Sequence, residues 1–186
     1  VRWRARRWLI GAVAMQAAVA ALFLACVLTP PLADTLGLAN AFKRAKGWEQ
    51  VTEEIANRAL REPTGSLSAV AVDDRFMFNA AAYYGREYFG KNGEPPLKIW
   101  VREAHPQNQA EATQPLTAEL GKRVLAVSLE PAFAPEMAAD FKSVSSYQIV
   151  SVWLDSKRRR RAAMFIGETF APLPRDPVSG LPPKQP

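Results

Sequence analysis

The sequence has very little of the side chains that build metal sites and disulfide frameworks. Its 186 residues contain one cysteine, Cys26, and one histidine, His105. A single cysteine excludes an intrachain disulfide, and a histidine without a second ligand at a suitable spacing gives no indication of a metal site. No cofactor is identifiable from the residues themselves.

Two common catalytic signatures are also missing. No glycine-rich phosphate-binding loop occurs anywhere in the chain. Ser143, Ser145 and Ser146 lack the glycine-flanked turn that exposes the nucleophile of a hydrolase. Neither of these signatures therefore indicates an enzymatic activity. The sequence also contains no internal repeat.

Charge is absent from one long stretch near the N-terminus. The 21 residues of the range 8–28 contain no charged side chain. At helical rise they cover roughly 31 Å, about the thickness of the hydrocarbon core of a bilayer. They predict a transmembrane helix that ends before Pro30 and Pro31. Four basic residues precede it: Arg2, Arg4, Arg6 and Arg7.

The charge asymmetry around this stretch predicts its orientation. Residues 29–42, which follow it, carry a single charge at Asp34. Because basic residues favour the cytoplasmic side, we expect a cytoplasmic N-terminus and a periplasmic domain anchored in the inner membrane. A cleaved signal peptide and a lipoprotein signal with Cys26 as its lipidated residue remain open alternatives. The first residue is Val1 rather than methionine, so we expect further sequence upstream and take this helix as the last of a larger membrane protein.

The net charge of +6 is concentrated in two clusters. Outside the N-terminal arginines and one further run, the chain carries 15 basic and 18 acidic residues. The folded part is therefore not basic, and we expect no nucleic-acid partner. Both clusters are predicted to contact anionic lipid head groups, although a solvated loop is an equally good reading of the second. That second run consists of Lys157, Arg158, Arg159, Arg160 and Arg161.

Hydrophobic patterns outside the apolar stretch predict an α/β domain over residues 43–171 with a mainly parallel sheet. A connector, 30–42, precedes the domain, and six prolines in residues 172–186 predict a disordered tail. The last two strands predict an antiparallel hairpin with a basic tip. Helices are predicted over 48–61, 75–86 and 135–141, strands over 67–72, 98–102, 123–129, 147–154 and 162–170, and a long loop over 103–117.

The best-placed polar residues follow the first strand. Asp73, Asp74 and Arg75 lie where ligands of open α/β sheets gather. Two carboxylates there could bind a divalent cation through phosphate or sugar oxygens, and the arginine could pair with phosphate. The alternative, which we favour, is that one aspartate caps the next helix while the arginine neutralises its neighbour.

Aromatic residues in the second predicted helix give another candidate. Tyr83 and Tyr84 could stack on a sugar ring. Together with Phe76 and Ala80, however, they have the spacing of an apolar helix face, which is more typical of a core.

Several short motifs occur in an order that resembles the C-terminal extracytoplasmic part of bacterial family 39 glycosyltransferases. These are GT-C enzymes related to the dolichyl-phosphate-mannose protein mannosyltransferases. The resemblance covers roughly residues 43–129. The motifs are residues 45–49 (AKGWE), 70–75 (VAVDDR), 81–84 (AAYY), 98–101 (KIWV), 114–117 (QPLT) and 124–127 (VLAV).

The resemblance implies transfer of a sugar from a polyprenyl-phosphate donor to an extracytoplasmic acceptor. It also implies that the catalytic acid lies in the first extracytoplasmic loop of a polypeptide with many helices, so no residue of this chain inherits the catalytic role. A divalent metal is compatible with the intact enzyme. The alternative is a single-pass anchored α/β module that binds a ligand or assists envelope assembly without catalysis.

Overall fold

A computed structural model gives the fold of residues 2–38, 46–89, 91, 94–154 and 158–183. The chain divides into two compact units, Val1–Lys46 and Gly47–Pro186. The first contains the apolar helix, and the second is the α/β domain that the sequence predicts.

The first unit begins with helix α1 (Arg2–Leu28), of which Ala5–Leu28 is long and apolar enough to cross a membrane. A signal sequence near an N-terminus has the same length and composition. Helix α2 (Pro30–Thr35) follows and places prolines in its first turn, where a missing N–H costs nothing. The predicted connector therefore begins with a helix, and its positions from 39 onward lie outside the described residues.

The second unit contains four helices and five strands within the described ranges. Each strand predicted from the sequence is present, with ends that differ by a few residues. The elements in chain order are α3 (Trp48–Leu60), β1 (Ala69–Val72), α4 (Arg75–Tyr84), β2 (Leu97–Ile99), α5 (Gln109–Thr113), β3 (Arg123–Ser128), α6 (Ala134–Ala139), β4 (Phe141–Trp153) and β5 (Arg159–Phe170).

The five strands form one sheet in the order β2-β1-β3-β5-β4. The first three are parallel, and β5 pairs antiparallel with both β3 and β4. The predicted α/β class and C-terminal hairpin are therefore present. The predicted loop 103–117 contains the short helix α5, and Pro115 forms a parallel bridge with Ile99.

Both faces of the central strands are buried, which explains why β1 and β3 read as continuous apolar runs. Val70 and Val72 face helices α3 and α4, where they pack with Ile55 and Met77. The alternate residues of β1 and β3 pack with Trp100, Met137 and Phe165 on the opposite face. The sheet is thus the middle layer of the domain.

Helix α4 buries a different face from the one that the aromatic spacing predicts. Its buried residues are Met77, Ala80 and Ala81. Phe76, Tyr83 and Tyr84 are exposed, so the core interpretation is wrong for the tyrosines. The small side chains of Ala80 and Ala81 let the helix lie close to the sheet, and the large aromatic side chains are exposed on the other side.

The proline-rich end is ordered as far as residue 183, contrary to the predicted disorder. The buried carboxylate of Asp140 accepts hydrogen bonds from the Leu173 backbone N–H at 2.8 Å and from Arg175 at 2.7 and 2.9 Å. Further along, the Ala104 N–H donates to the Gly180 carbonyl at 2.8 Å. Specific polar contacts therefore hold a segment that has too few apolar groups to fold by burial alone.

Candidate functional site

The carboxyl ends of β1 and β3 meet at one edge of the sheet and bring together residues far apart in sequence. Asp73 follows β1, and Ser128 ends β3. The Ser128 hydroxyl contacts the Asp73 carboxyl group, whose other oxygen accepts the Leu129 backbone N–H at 2.9 Å. Asp73 therefore lies at the edge of the sheet where the sequence predicts it, and its carboxyl group is hydrogen-bonded there.

Burial raises the pKa of Asp73 to about 6. The hydrogen bonds from Ser128 and Leu129 lower this pKa but do not offset the desolvation, and the neighbouring charge of Asp74 raises it further. All partners of Asp73 that donate to it are neutral. The carboxyl group therefore changes its protonation state close to neutral pH.

The protonated form of Asp73 also fits the hydrogen bonds of Ser128. The Ser128 hydroxyl has one proton but faces two acceptors, the Asp73 carboxyl group and the Glu130 carbonyl at 2.7 Å. If Asp73 carries a proton, it donates to Ser128, and Ser128 donates to Glu130. Both contacts are satisfied in that form. In the ionised form Ser128 donates its proton to the carboxylate instead, and it is this bond to the charged group that lowers the pKa of Asp73.

Asp74 has a separate structural role. Its carboxylate accepts the Met77 backbone N–H at 2.8 Å and so caps helix α4. Asp73 bonds to the end of β3, whereas Asp74 turns back to its own helix. The two aspartates therefore have different partners, and the capping alternative describes Asp74.

Arg75 forms no ion pair with either aspartate in the part of the chain that the structure describes. Its exposed guanidinium lies 4.9 Å from the centre of the Phe76 ring. It remains accessible to an anionic ligand, as predicted, but it does not neutralise its neighbour.

The C-terminal hairpin brings a further arginine to the same edge. The guanidinium of Arg160 lies 3.8 Å from the centre of the Trp48 ring, at the start of α3. Burial lowers the pKa of Arg160, and the charge of Asp74 opposes this effect. The second basic cluster is therefore partly structural, because one of its arginines packs inward.

Gly47 makes this contact possible. It has a φ of +78°, and a Cβ atom built on it would lie 2.2 Å from Cδ2 of Leu154. The hairpin thus packs directly on the backbone that starts α3. Sequence reasoning missed the contact between Trp48 and Arg160, although the alternation of side chains along a strand indicates that alternate arginines face opposite ways.

The two predicted tyrosines lie at the other end of α4. Tyr83 and Tyr84 are nine and ten residues after Asp74, which corresponds to roughly 14 Å along a helix. Their rings form an edge-to-face pair with centres 5.0 Å apart, and Arg86 lies 5.1 Å from the centre of the Tyr83 ring. The structure therefore does not join them to the aspartates, but their exposure is compatible with stacking on a sugar.

The predicted lipid-contacting arginines are only partly described. Arg6 and Arg7 are exposed in the first turns of α1. Arg159 and Arg161 are exposed in β5. The side chains of Arg2 and Arg4, and the whole of Lys157, lie outside the described residues, and Arg158 directly precedes β5.

A small concave region of about 50 Å³ lies at the opposite, amino end of the sheet, beside Glu62, Tyr88 and Glu94. Burial, with the charge of Glu94, raises the pKa of Tyr88 to about 12. Glu62 is committed to ion pairs with Arg58 and Arg123, each at 2.5 Å, and these lower its pKa. Glu62 is therefore held in its ion pairs, and Tyr88 keeps its proton and hydrogen-bonds to Glu94.

Within the described ranges, no group of three or more His, Cys, Asp or Glu side chains is placed to hold a metal ion. The edge at Asp73 offers one titratable carboxyl group, one capping carboxylate and two arginines. These groups can bind a polar or anionic molecule, and the hydroxyl of Ser128 beside them is engaged with Asp73 and with the Glu130 carbonyl. Comparisons with known protein families, curated proteins and solved structures find no match to this chain.

Proposed function

We propose that this chain is the C-terminal part of an integral-membrane glycosyltransferase that uses a polyprenyl-phosphate sugar donor. In this proposal α1 is the last transmembrane helix, its N-terminus is cytoplasmic, and the α/β domain lies on the periplasmic side of the inner membrane. The catalytic loop belongs to a preceding part of the polypeptide.

One observation carries the proposal. The motifs that resemble family 39 glycosyltransferases coincide with the centre of the domain. VAVDDR spans the end of β1 and the start of α4, KIWV spans the end of β2, and VLAV lies in β3. Three adjacent parallel strands and the intervening helix therefore contain, wholly or in part, four of the six motifs that carry the resemblance.

The domain's role in this proposal is to position an acceptor or a donor head group. Arg75 is exposed beside the helix cap of Asp74, and the exposed rings of Tyr83 and Tyr84 offer flat apolar surfaces to a sugar. Because the two kinds of contact lie at opposite ends of α4, one would hold a phosphate group and the other a separate sugar ring. Any metal would act in the intact enzyme rather than at these residues.

A second candidate is a membrane-anchored binding module without catalysis. The specific observation that favours it is that Asp73, Asp74 and Arg160 each have partners inside the domain. Residues whose polar groups have partners inside the domain stabilise its structure, and a catalytic role is not needed to explain them.

The decisive experiment uses the complete reading frame that contains this chain. We expect additional hydrophobic spans upstream of Val1, and transfer of radiolabelled sugar from a synthetic polyprenyl-phosphate donor by membranes that contain the full protein. A stop codon before Gly47 should abolish transfer, and Tyr83→Ala with Tyr84→Ala should weaken it about tenfold, as expected for loss of aromatic stacking.

The matched control is Phe76→Ala, which removes an exposed aromatic residue from the same helix without touching the tyrosine pair. A start codon directly before Val1 without further spans, together with no transfer, would contradict the glycosyltransferase proposal and support the binding module. Equal transfer with and without the domain would contradict its positioning role.

A further inference from the structure

The hairpin of β4 and β5 extends beyond the rest of the sheet. The last residue of β3, Ser128, pairs with Ala163, whereas the hairpin continues from there to the pair of Trp153 and Arg159. We call residues 149–153 and 159–163 the hairpin arm. From Ala162 to the tip, the described residues of the arm pair only between its own two strands.

The two faces of the hairpin arm differ in their surroundings. One face carries Val150, Val152 and Ala162, which pack against the helix-covered core. The other face, which we call the outer face, is exposed except at Ala163, which is buried where the arm joins the sheet. Its exposed side chains are Ile149, Ser151, Trp153, Arg159 and Arg161, and the exposed Tyr147 continues it along β4.

Strand pairing fixes the arrangement of these outer-face residues. Trp153 lies directly opposite Arg159, and Ser151 lies opposite Arg161. Residues directly opposite in antiparallel strands point to the same face. The outer face therefore combines large apolar groups with two arginines, and its exposed fractions are 54% for Ile149 and 65% for Trp153.

Charge in this region has one dominant sign. Residues 141–163 carry six basic side chains and one acidic side chain. β4 contains no aspartate or glutamate, and the single one in β5, Glu168, lies at the far end of the strand in an ion pair with Arg123. The outer face therefore complements a negatively charged surface.

We propose that the outer face of the hairpin arm binds the anionic surface of a lipid bilayer. Tryptophan, tyrosine and arginine are the residues that favour the head-group region, where aromatic rings and apolar stems enter the lipid and charged groups meet phosphate. The strand alternation divides the basic run: Arg160 packs on Trp48, while Arg159 and Arg161 contact lipid.

A second copy of the chain is a less favourable occupant. β4 is an edge strand, and its free hydrogen-bonding groups could pair with another β4. Such pairing would bring two strongly basic segments together, and like charges repel. Anionic lipid, in contrast, neutralises them.

The inference rests on the membrane location in the proposed function, but not on transferase activity.

The test measures the distance of the arm from lipid in the full chain reconstituted into vesicles. In a variant that carries Cys26→Ala, so that the native cysteine cannot react, a fluorescent label is attached to Ser151→Cys on the outer face. The matched label is at Lys122→Cys, an exposed position directly before β3, at the amino end of the sheet. Lipids that carry a nitroxide near the head group quench the fluorescence of a nearby label, so quenching reports contact between the labelled position and the bilayer.

We expect strong quenching at position 151 in phosphatidylcholine vesicles that contain phosphatidylglycerol, and weak quenching at position 122. Arg159→Gln with Arg161→Gln should lower the equilibrium constant for contact about 30-fold, the usual effect of removing two basic residues near anionic lipid. The control pair Arg61→Gln with Arg86→Gln, exposed elsewhere, should leave quenching at 151 unchanged.

Three results would overturn the inference: no quenching at position 151, equal quenching in pure phosphatidylcholine, or a label at 151 already shielded in detergent by a dimer seen in sedimentation. The last would identify a second copy as the occupant. Because sugar transfer is not measured, failure here and failure of the glycosyltransferase proposal are distinguishable.

Discussion

Two acidic side chains of the domain, Asp73 and Asp140, have hydrogen-bond partners of opposite character. Asp140 is completely buried and accepts bonds from Trp100, Leu173 and the guanidinium of Arg175. Among the described residues, the donors to Asp73 are neutral: the Ser128 hydroxyl and the Leu129 N–H. A fully buried carboxylate beside an arginine is a structural crosslink, whereas a partly buried carboxyl group with neutral donors tends to keep its proton.

The largest expected effect comes from breaking the crosslink. Arg175→Ala leaves the Asp140 carboxylate buried without its cation, which typically costs about 3–5 kcal/mol of unfolding free energy. Urea unfolding of the detergent-solubilised chain, followed by tryptophan fluorescence, measures this loss. Arg61→Ala, at an exposed position after α3, is the control and should change stability by less than about 0.5 kcal/mol. A loss equal to that control would mean that the ion pair contributes nothing.

The next effect concerns the proton on Asp73. Its pKa is raised from 3.8 to about 6, so the folded state holds a proton that the unfolded state releases. The resulting stabilisation is complete below pH 4 and is lost as pH rises through 6, up to about 3 kcal/mol. Asp73→Asn stays neutral, and its amide can donate to Ser128. The variant should match the original chain near pH 4 and exceed its stability at pH 8.

Urea unfolding of both proteins between pH 4 and pH 8 tests this directly. Two pH profiles that run parallel would contradict the assignment, because they would mean that Asp73 does not titrate in this range. Asp176→Asn, which changes an exposed carboxylate in the C-terminal turn, controls for the general effect of removing one charge.

The smallest effect comes from Ser128→Ala. The hydrogen bond from Ser128 lowers the pKa of Asp73, so its removal should raise that pKa above 6. The loss of one neutral hydrogen bond should cost about 1 kcal/mol. Carbon NMR of the Asp73 carboxyl group measures the shift, with Ser143→Ala at an exposed position as the control. An unchanged or lower pKa would show that Ser128 does not act on this group.

The sequence allowed correct prediction of the sheet and of its C-terminal hairpin. The apolar runs around Val70 and Leu125 are buried on both faces, and runs of that kind have few alternatives to a central strand. The placement of Asp73 after the first strand was also predictable, because the carboxyl ends of parallel strands meet at one edge.

Other features of the site could not be predicted, because they depend on contacts between distant residues. Asp140 and Arg175 are 35 positions apart, and composition alone predicts disorder for the second of them. The exposure of Tyr83 depends on which side of α4 packs against the sheet. That side carries the small residues Ala80 and Ala81, so the tyrosine lies on the exposed side. The inward direction of Arg160 required the register of β4 and β5.

The strand order has a consequence for how the chain folds during synthesis. β5 is the last strand to be made, yet it lies beside β3 within the sheet. Until residue 170 has emerged, one side of β3, whose four central residues are apolar, has no partner, and an unpaired strand of this kind is prone to aggregate. The domain therefore cannot fold progressively from its first strand. The earlier strands must be shielded, by chaperones or by rapid folding, until β5 is available.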